Sequence, residues 1–185
     1  TVAEVHLEVL TGVSATRDAV LGGVESTPCD AVHFSCHAVY NRSEPARSHV
    51  LLFDGPLTAE DIYQTNLEHP QSLCVLNACE SGLAGCGSPA EGLASAFRSA
   101  GAGAVIGAQW PVDNKSATHW MASFYSSLAA GECLGQAAGL ARVETRRLFS
   151  RDPLLTWAAF TLNGAPWTSL ISSADRKRQS RTPLT

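Results

Sequence analysis

The sequence predicts one α/β domain, with a mostly parallel sheet covered by helices on both faces. Three observations carry that expectation. Short apolar runs alternate with segments of helical period along most of the chain, as in successive βα units. Three runs, residues 31–37, 72–78 and 104–110, are apolar on both faces, like the central strands of a parallel sheet buried from both sides. Two of these runs end abruptly in a reactive side chain, His37 and Cys79, followed by irregular sequence. In open parallel sheets, functional groups gather where strands stop, at their carboxyl ends.

The elements follow in order. Residues 2–10 alternate apolar and polar, with Val5, Leu7 and Val9 against Glu4, His6 and Glu8, the period of a half-buried strand. Ser14 or Thr16 can cap a helix running to about Val24. Thr27-Pro28 closes it ahead of the strand at 31–37. Residues 38–50 are polar, contain Pro45 and read as a loop. A short strand at 49–53 ends at Asp54-Gly55-Pro56, and Thr58 caps a helix from Ala59 to about Asn66 with Glu60 and Asp61 in its first turn. The strand at 72–78 leads into a Gly- and Ser-rich loop at 80–87. Ser88-Pro89-Ala90-Glu91 is a capping box with proline at the first helical position, and Leu93, Ala96, Phe97 and Ala100 follow at helical spacing. After the strand at 104–110, Asp113 can cap a helix striped with Ala117, Trp120, Met121, Phe124 and Leu128. A further helix at about 133–149 carries Leu134, Ala137, Ala138, Ala141 and Leu148 on one side, and Pro153 breaks it. Residues 157–162 read as the last strand. The domain is placed at 1–167, with 168–185 as a flexible basic tail.

Composition narrows the function. With 45% hydrophobic and 16% charged residues, the chain is globular, and no apolar run nears the roughly 20 residues of a membrane helix. The net charge is -4, and the tail carries Arg176, Lys177, Arg178 and Arg181 against Asp175, so the body is more acidic still. An acidic body argues against nucleic acid as a partner. Of the six cysteines, Cys36 and Cys74 lie inside apolar runs, where a free thiol behaves as a small hydrophobe. That usage points to a reducing, cytoplasmic setting. The chain starts Thr-Val-Ala-Glu, which reads as a piece of a longer protein.

A cysteine and a histidine brought together from two strand ends form a nucleophile and its base. The thiolate is the competent species. The imidazole takes the thiol proton and returns it to the leaving amine, and backbone N–H groups beside the two residues supply an oxyanion hole. Cys74 reads as core, and His33 as a satisfied, buried histidine deeper on the His37 face. A zinc set of Cys29, His33, Cys36 and His37 is disfavoured, because alternation sends Cys36 to the opposite face. Asp113 is explained by N-capping, with a substrate-pocket role as the rival. Glu80 faces substrate or solvent.

Five segments in order, His33-Phe34-Ser35-Cys36-His37, residues 76–82 (Leu-Asn-Ala-Cys-Glu-Ser-Gly), Glu91-Gly92-Leu93-Ala94, Gln109-Trp110-Pro111-Val112-Asp113 and Trp157-Ala158-Ala159-Phe160, resemble the successive motifs of CHAT domains. These are caspase-like modules of the caspase–hemoglobinase superfamily, related to caspases and separase. The resemblance spans about residues 2–167, the catalytic, C-terminal portion of such a domain. It implies a caspase-like three-layer α/β/α sandwich and a cysteine endopeptidase acting on protein substrates, with Cys79 as nucleophile and His37 as base. It further implies an oxyanion hole from the backbone of Ala38 and Cys79, pocket candidates Asp113, Glu80 and Trp110, no metal and no cofactor. Acidic groups near Asp113 favour a basic substrate residue in separase-like relatives. Relatives are commonly fused to tetratricopeptide or other sensor regions and serve bacterial defence or regulated proteolysis, which implies activation by such a region through the loops at 38–50 and 80–87. Position 38 departs from the pattern, which usually has glycine. Alanine keeps the N–H, but not a backbone angle open only to glycine. That departure motivates a second expectation, a caspase-like scaffold without turnover. A third, a redox pair of Cys79 and Cys86, lacks any C-x-x-C spacing.

Overall fold

A computed structural model describes residues 6–26, 29–65, 73–78 and 92–170. Seven strands and six α-helices are described. Helix α1 (Arg17–Ser26) leads to β1 (Ala31–Phe34), then β2 (Ala38–Val39), β3 (His49–Leu52), β4 (Gly55–Thr58) and α2 (Ala59–Tyr63). There follow β5 (Leu73–Leu76), α3 (Leu93–Ser99), β6 (Ala104–Ala108), α4 (Asn114–Ala129), α5 (Leu134–Leu148), α6 (Thr156–Ala159) and β7 (Phe160–Gly164).

The main sheet has the order β1-β5-β6-β7. β1, β5 and β6 are parallel, and β7 pairs antiparallel with β6. The fully buried LCVL of β5 and AVIGA of β6 leave no face polar enough for water, so helices cover both. One face packs Leu73, Val75, Ala104 and Ile106 against Trp120, Phe124 and Leu128 of α4 and Leu134, Ala137 and Ala141 of α5. The other packs Cys74, Leu76 and Val105 against Ile62 of α2, Leu93 and Phe97 of α3, and Val50 and Leu57 of the second sheet. That second sheet is antiparallel, β2-β3-β4, and lies beside the first. No described helix is long and apolar enough to cross a membrane.

Several capping expectations hold. Thr16 Oγ1 accepts the Ala19 N–H at 3.3 Å, and Thr58 and Asp61 form a reciprocal capping box on α2. Others need correction. Residues 6–10 form no strand, and Leu7 and Val9 are exposed; alternation supplies a strand only where a partner edge exists. Residues 38–50 are not a plain loop: β2 and a 3₁₀ turn at Pro45–Arg47 lie within them. Asn41 Oδ1 accepts the N–H groups of Ser43 and Glu44, while buried Ser48 accepts that of Asn41. The last strand starts at Phe160, since 156–159 turn helical first. Leu148 of α5 is exposed, and Thr145 takes the buried position one turn earlier. The capping box at 88–91 lies outside the described residues.

Candidate active site

The register sets one rank of residues across the main sheet: Phe34 pairs with Leu76, Leu76 with Gly107, and Gly107 with Thr161. Beyond that rank the carboxyl ends of β1, β5 and β6 open onto one rim, where β7 begins. His37 and Trp110 each come three residues after the rank, on the β1 and β6 chains. In sequence Cys79 comes three residues after Leu76, but Cys79, Glu80 and Cys86 lie outside the described residues. The last described residue before Cys79 is Ala78, which is buried.

β1 stops at Phe34, earlier than residue 37, and its end is tied to that of β5. The Asn77 N–H donates to the Phe34 carbonyl at 2.9 Å, and Asn77 Nδ2 reaches Ser35 Oγ at 3.5 Å. Sequence reasoning missed this tie, since only a known strand pairing makes the two residues neighbours. His37 then hands the chain to the second sheet, its carbonyl accepting the Leu51 N–H at 2.8 Å. The imidazole is exposed and takes no hydrogen bond from a described residue.

Ala38 stands where the family pattern usually has glycine. Leu155 is the only described non-glycine residue with positive φ, so Ala38 sits in ordinary backbone. Antiparallel ladders alternate bonded and non-bonded pairs. With His37 and Leu51 bonded, Ala38 and Val50 are a non-bonded pair. The Ala38 N–H is therefore turned away from β3 and left unused by the ladder.

His33 is satisfied but not buried, which corrects the expectation. Its ring is exposed, stacks on Tyr125 of α4 at 5.6 Å between centroids, and places Nδ1 2.8 Å from the Tyr125 hydroxyl. The partial desolvation of that contact lowers the His33 pKa, and burial raises that of Tyr125. Cys74 is core, at 2% exposure, and burial pushes its thiol well above the ordinary value, the state of an inert cysteine. Because β1 ends at Phe34, strand alternation does not govern Cys36 and His37, and it does not keep Cys36 apart from His33 and His37. Among the described residues, no three His, Cys, Asp or Glu side chains are grouped to hold a metal ion.

On the other flank of the rim, β6 ends at Ala108, two residues short of expectation. Gln109 still donates its N–H to the Ala159 carbonyl, and its side chain reaches Thr161 Oγ1 at 2.7 Å. Trp110 is exposed and donates Nε1–H to the Leu154 carbonyl at 2.7 Å. Asp113 caps α4: its Oδ1 accepts the N–H groups of Lys115 and Ser116 and the Ser116 hydroxyl at 2.9–3.1 Å. Pro153 marked a helix break in the sequence, yet nothing there showed that the following turn would close over Trp110.

A mostly parallel sheet covered by helices on both faces is the caspase-like α/β architecture. Solved structures with that fold include "Crystal structure of the Arg specific cysteine proteinase gingipain R (RGPB)", with a TM-score of 0.65 and 11% identity over 83% of this chain and 36% of that one. Another, titled "Structure of Protease", has a TM-score of 0.61 and 9% identity over 80% of this chain and 37% of that one. The chain thus spans just over a third of the length of each. The CHAT domain family model matches residues 1–165, and the chain belongs to the CHAT domain family. A search of curated proteins found no match.

Proposed function

We propose that the protein is a cysteine endopeptidase working through Cys79 and His37. The observation that supports the reading is the pairing of Phe34 with Leu76 on neighbouring parallel strands, after which His37 and Cys79 each follow three residues on in sequence. In this mechanism His37 takes the proton from the Cys79 thiol, and the thiolate adds to the scissile carbonyl carbon. The oxyanion is met by the Ala38 N–H, which is free of the β2–β3 ladder, together with that of Cys79. Collapse breaks the C–N bond as His37 protonates the amine. A water deprotonated by His37 then hydrolyses the thioester, releasing the acid and restoring the thiol. The sequence calls for no metal or organic cofactor in these steps.

The substrate is a protein, and a tetratricopeptide or other sensor region, fused or separate, is the activating partner. Bacterial defence or regulated proteolysis is the setting, and the compartment is the cytoplasm. Glu80 stays a pocket candidate. The alternative, a caspase-like scaffold without turnover, rests on Ala38, whose ordinary backbone keeps the N–H but lacks the freedom of glycine; turnover by the parent protein decides between the two.

Fragments produced by the wild-type parent protein, identified by mass spectrometry, test the reading. Cys79→Ala should abolish them, and His37→Ala should slow their formation about 10²–10⁴-fold. An electrophilic peptide probe should label Cys79. Fragments that persist in Cys79→Ala, or no labelling of Cys79 with the sensor region present, would rule out the peptidase.

A further inference from the structure

The rim beyond Trp110 is occupied by the turn of residues 152–156, which buries Thr156 and leaves its two leucines facing out. Its side chains Leu154 and Leu155 are 42% and 49% exposed, and Trp110 beside them is 36% exposed. Leu155 has φ 49° and ψ 40°, the left-handed region that costs a non-glycine residue about 1–3 kcal/mol. The conformation is held from several directions. The Asp152 carboxylate accepts the Leu154 N–H at 2.9 Å and the Thr156 N–H at 3.1 Å. Fully buried Thr156 accepts the Asp113 N–H on Oγ1 at 3.0 Å, and the Leu154 carbonyl takes the indole N–H. Two segments far apart in sequence are thus cross-tied at two points, and the indole has its one polar group satisfied. What the assembly presents outward is apolar, and it stands on the rim that carries His37.

We infer that Trp110, Leu154 and Leu155 form a preorganised wall that receives a large apolar side chain of the substrate peptide close to the scissile bond. The inference rests on the peptidase reading and gives it a substrate class. It also replaces the basic preference expected from Asp113, whose Oδ1 is already engaged by three donors of α4. A rigid aromatic and two leucines on an over-determined turn lose little entropy on binding. The strain at Leu155 serves to aim its side chain.

Binding, measured without turnover, separates this inference from the catalytic one. The probes are fluorescent hexapeptides with leucine or phenylalanine at the central positions, and matched peptides with aspartate or glycine there, titrated against the full protein carrying Cys79→Ala. The apolar peptides should bind about 10-fold more tightly than the polar ones. Adding Leu154→Ser with Leu155→Gly should erase that difference. Leu155→Gly relieves the left-handed strain, so the variant should melt no lower than its parent, and a thermal scan checks that lost binding is not unfolding. Equal binding of both peptide sets, or a preference unchanged by the double substitution, would overturn the wall. Selective binding that the substitutions erase, by a protein whose wild type cuts nothing, would keep the wall and sink only the peptidase.

Discussion

Gly164 closes the main sheet at a point where no other residue fits. Its φ is +128°, and a Cβ built there would lie 2.5 Å from the Gly103 carbonyl oxygen and 2.8 Å from the Ala104 Cα. Both neighbours are backbone, so neither can swing aside. Gly164→Ala should therefore cost at least about 1–3 kcal/mol from the backbone angle alone, with the clash added, and urea melts should show a lower midpoint with little change in slope. The sequence announced Asn163-Gly164 as a turn after a strand; the close approach of Ala104 arises only once β6 and β7 pair. Cys74 lies inside an apolar run, and its burial is what a strand covered on both faces requires. His33 went the other way, because β1 is the outermost strand of the described sheet and the His33 side chain meets Tyr125 and solvent instead of a packed layer.

Among elements, α4 was the most legible. Its apolar stripe Ala117, Trp120, Met121, Phe124 and Leu128 is buried as a set, and Asp113 caps it. Asp113→Ala should remove about 1 kcal/mol, a fall in Tm of roughly 2–4 °C for a chain of this size, measurable by calorimetry. The peptide preference should stay unchanged, in keeping with the capping role. Strand ends were harder to place. The runs at 31–37 and 104–110 look continuous in sequence, but β1 and β6 stop at Phe34 and Ala108. A strand lasts only as long as its partner offers hydrogen bonds, and Asn77 and Ala159 take up the last ones. Residues 6–10 make the same point, with a strand's alternation and no described strand beside it.

At the scale of the whole molecule, two carboxylates link distant segments and make stability depend on acidity. Asp61 is pushed up by partial desolvation, but hydrogen bonds from the Thr58 hydroxyl and N–H, and the Arg17 guanidinium at 2.8 Å, outweigh this and leave its pKa lowered. Asp152 behaves alike, desolvation being outweighed by bonds from Thr156, Leu154 and Ser116. Their folded pKa values lie below the unfolded value of about 3.9, so the unfolded chain binds protons first as pH falls. Their stabilisation is complete above that value and is lost as pH falls through the folded pKa. Melts from pH 6 down to pH 2 should show the wild type losing stability in this window. Asp61→Asn should start lower at pH 6, fall less steeply, and approach the wild type at the acid end.

From sequence alone came the class of fold, the helix caps at Thr58 and Asp113, the apolar stripe of α4, and the buried strands β5 and β6. Each is written locally, in period, in capping chemistry and in where an apolar run breaks. Only the tertiary structure decided which strands pair and in what register, that Ala38 keeps an ordinary backbone with its N–H turned out of the ladder, and that Leu154 and Leu155 stand beside Trp110. Those facts join residues tens of positions apart, and such proximity is fixed by the packing of two cores around one sheet, which no local pattern encodes.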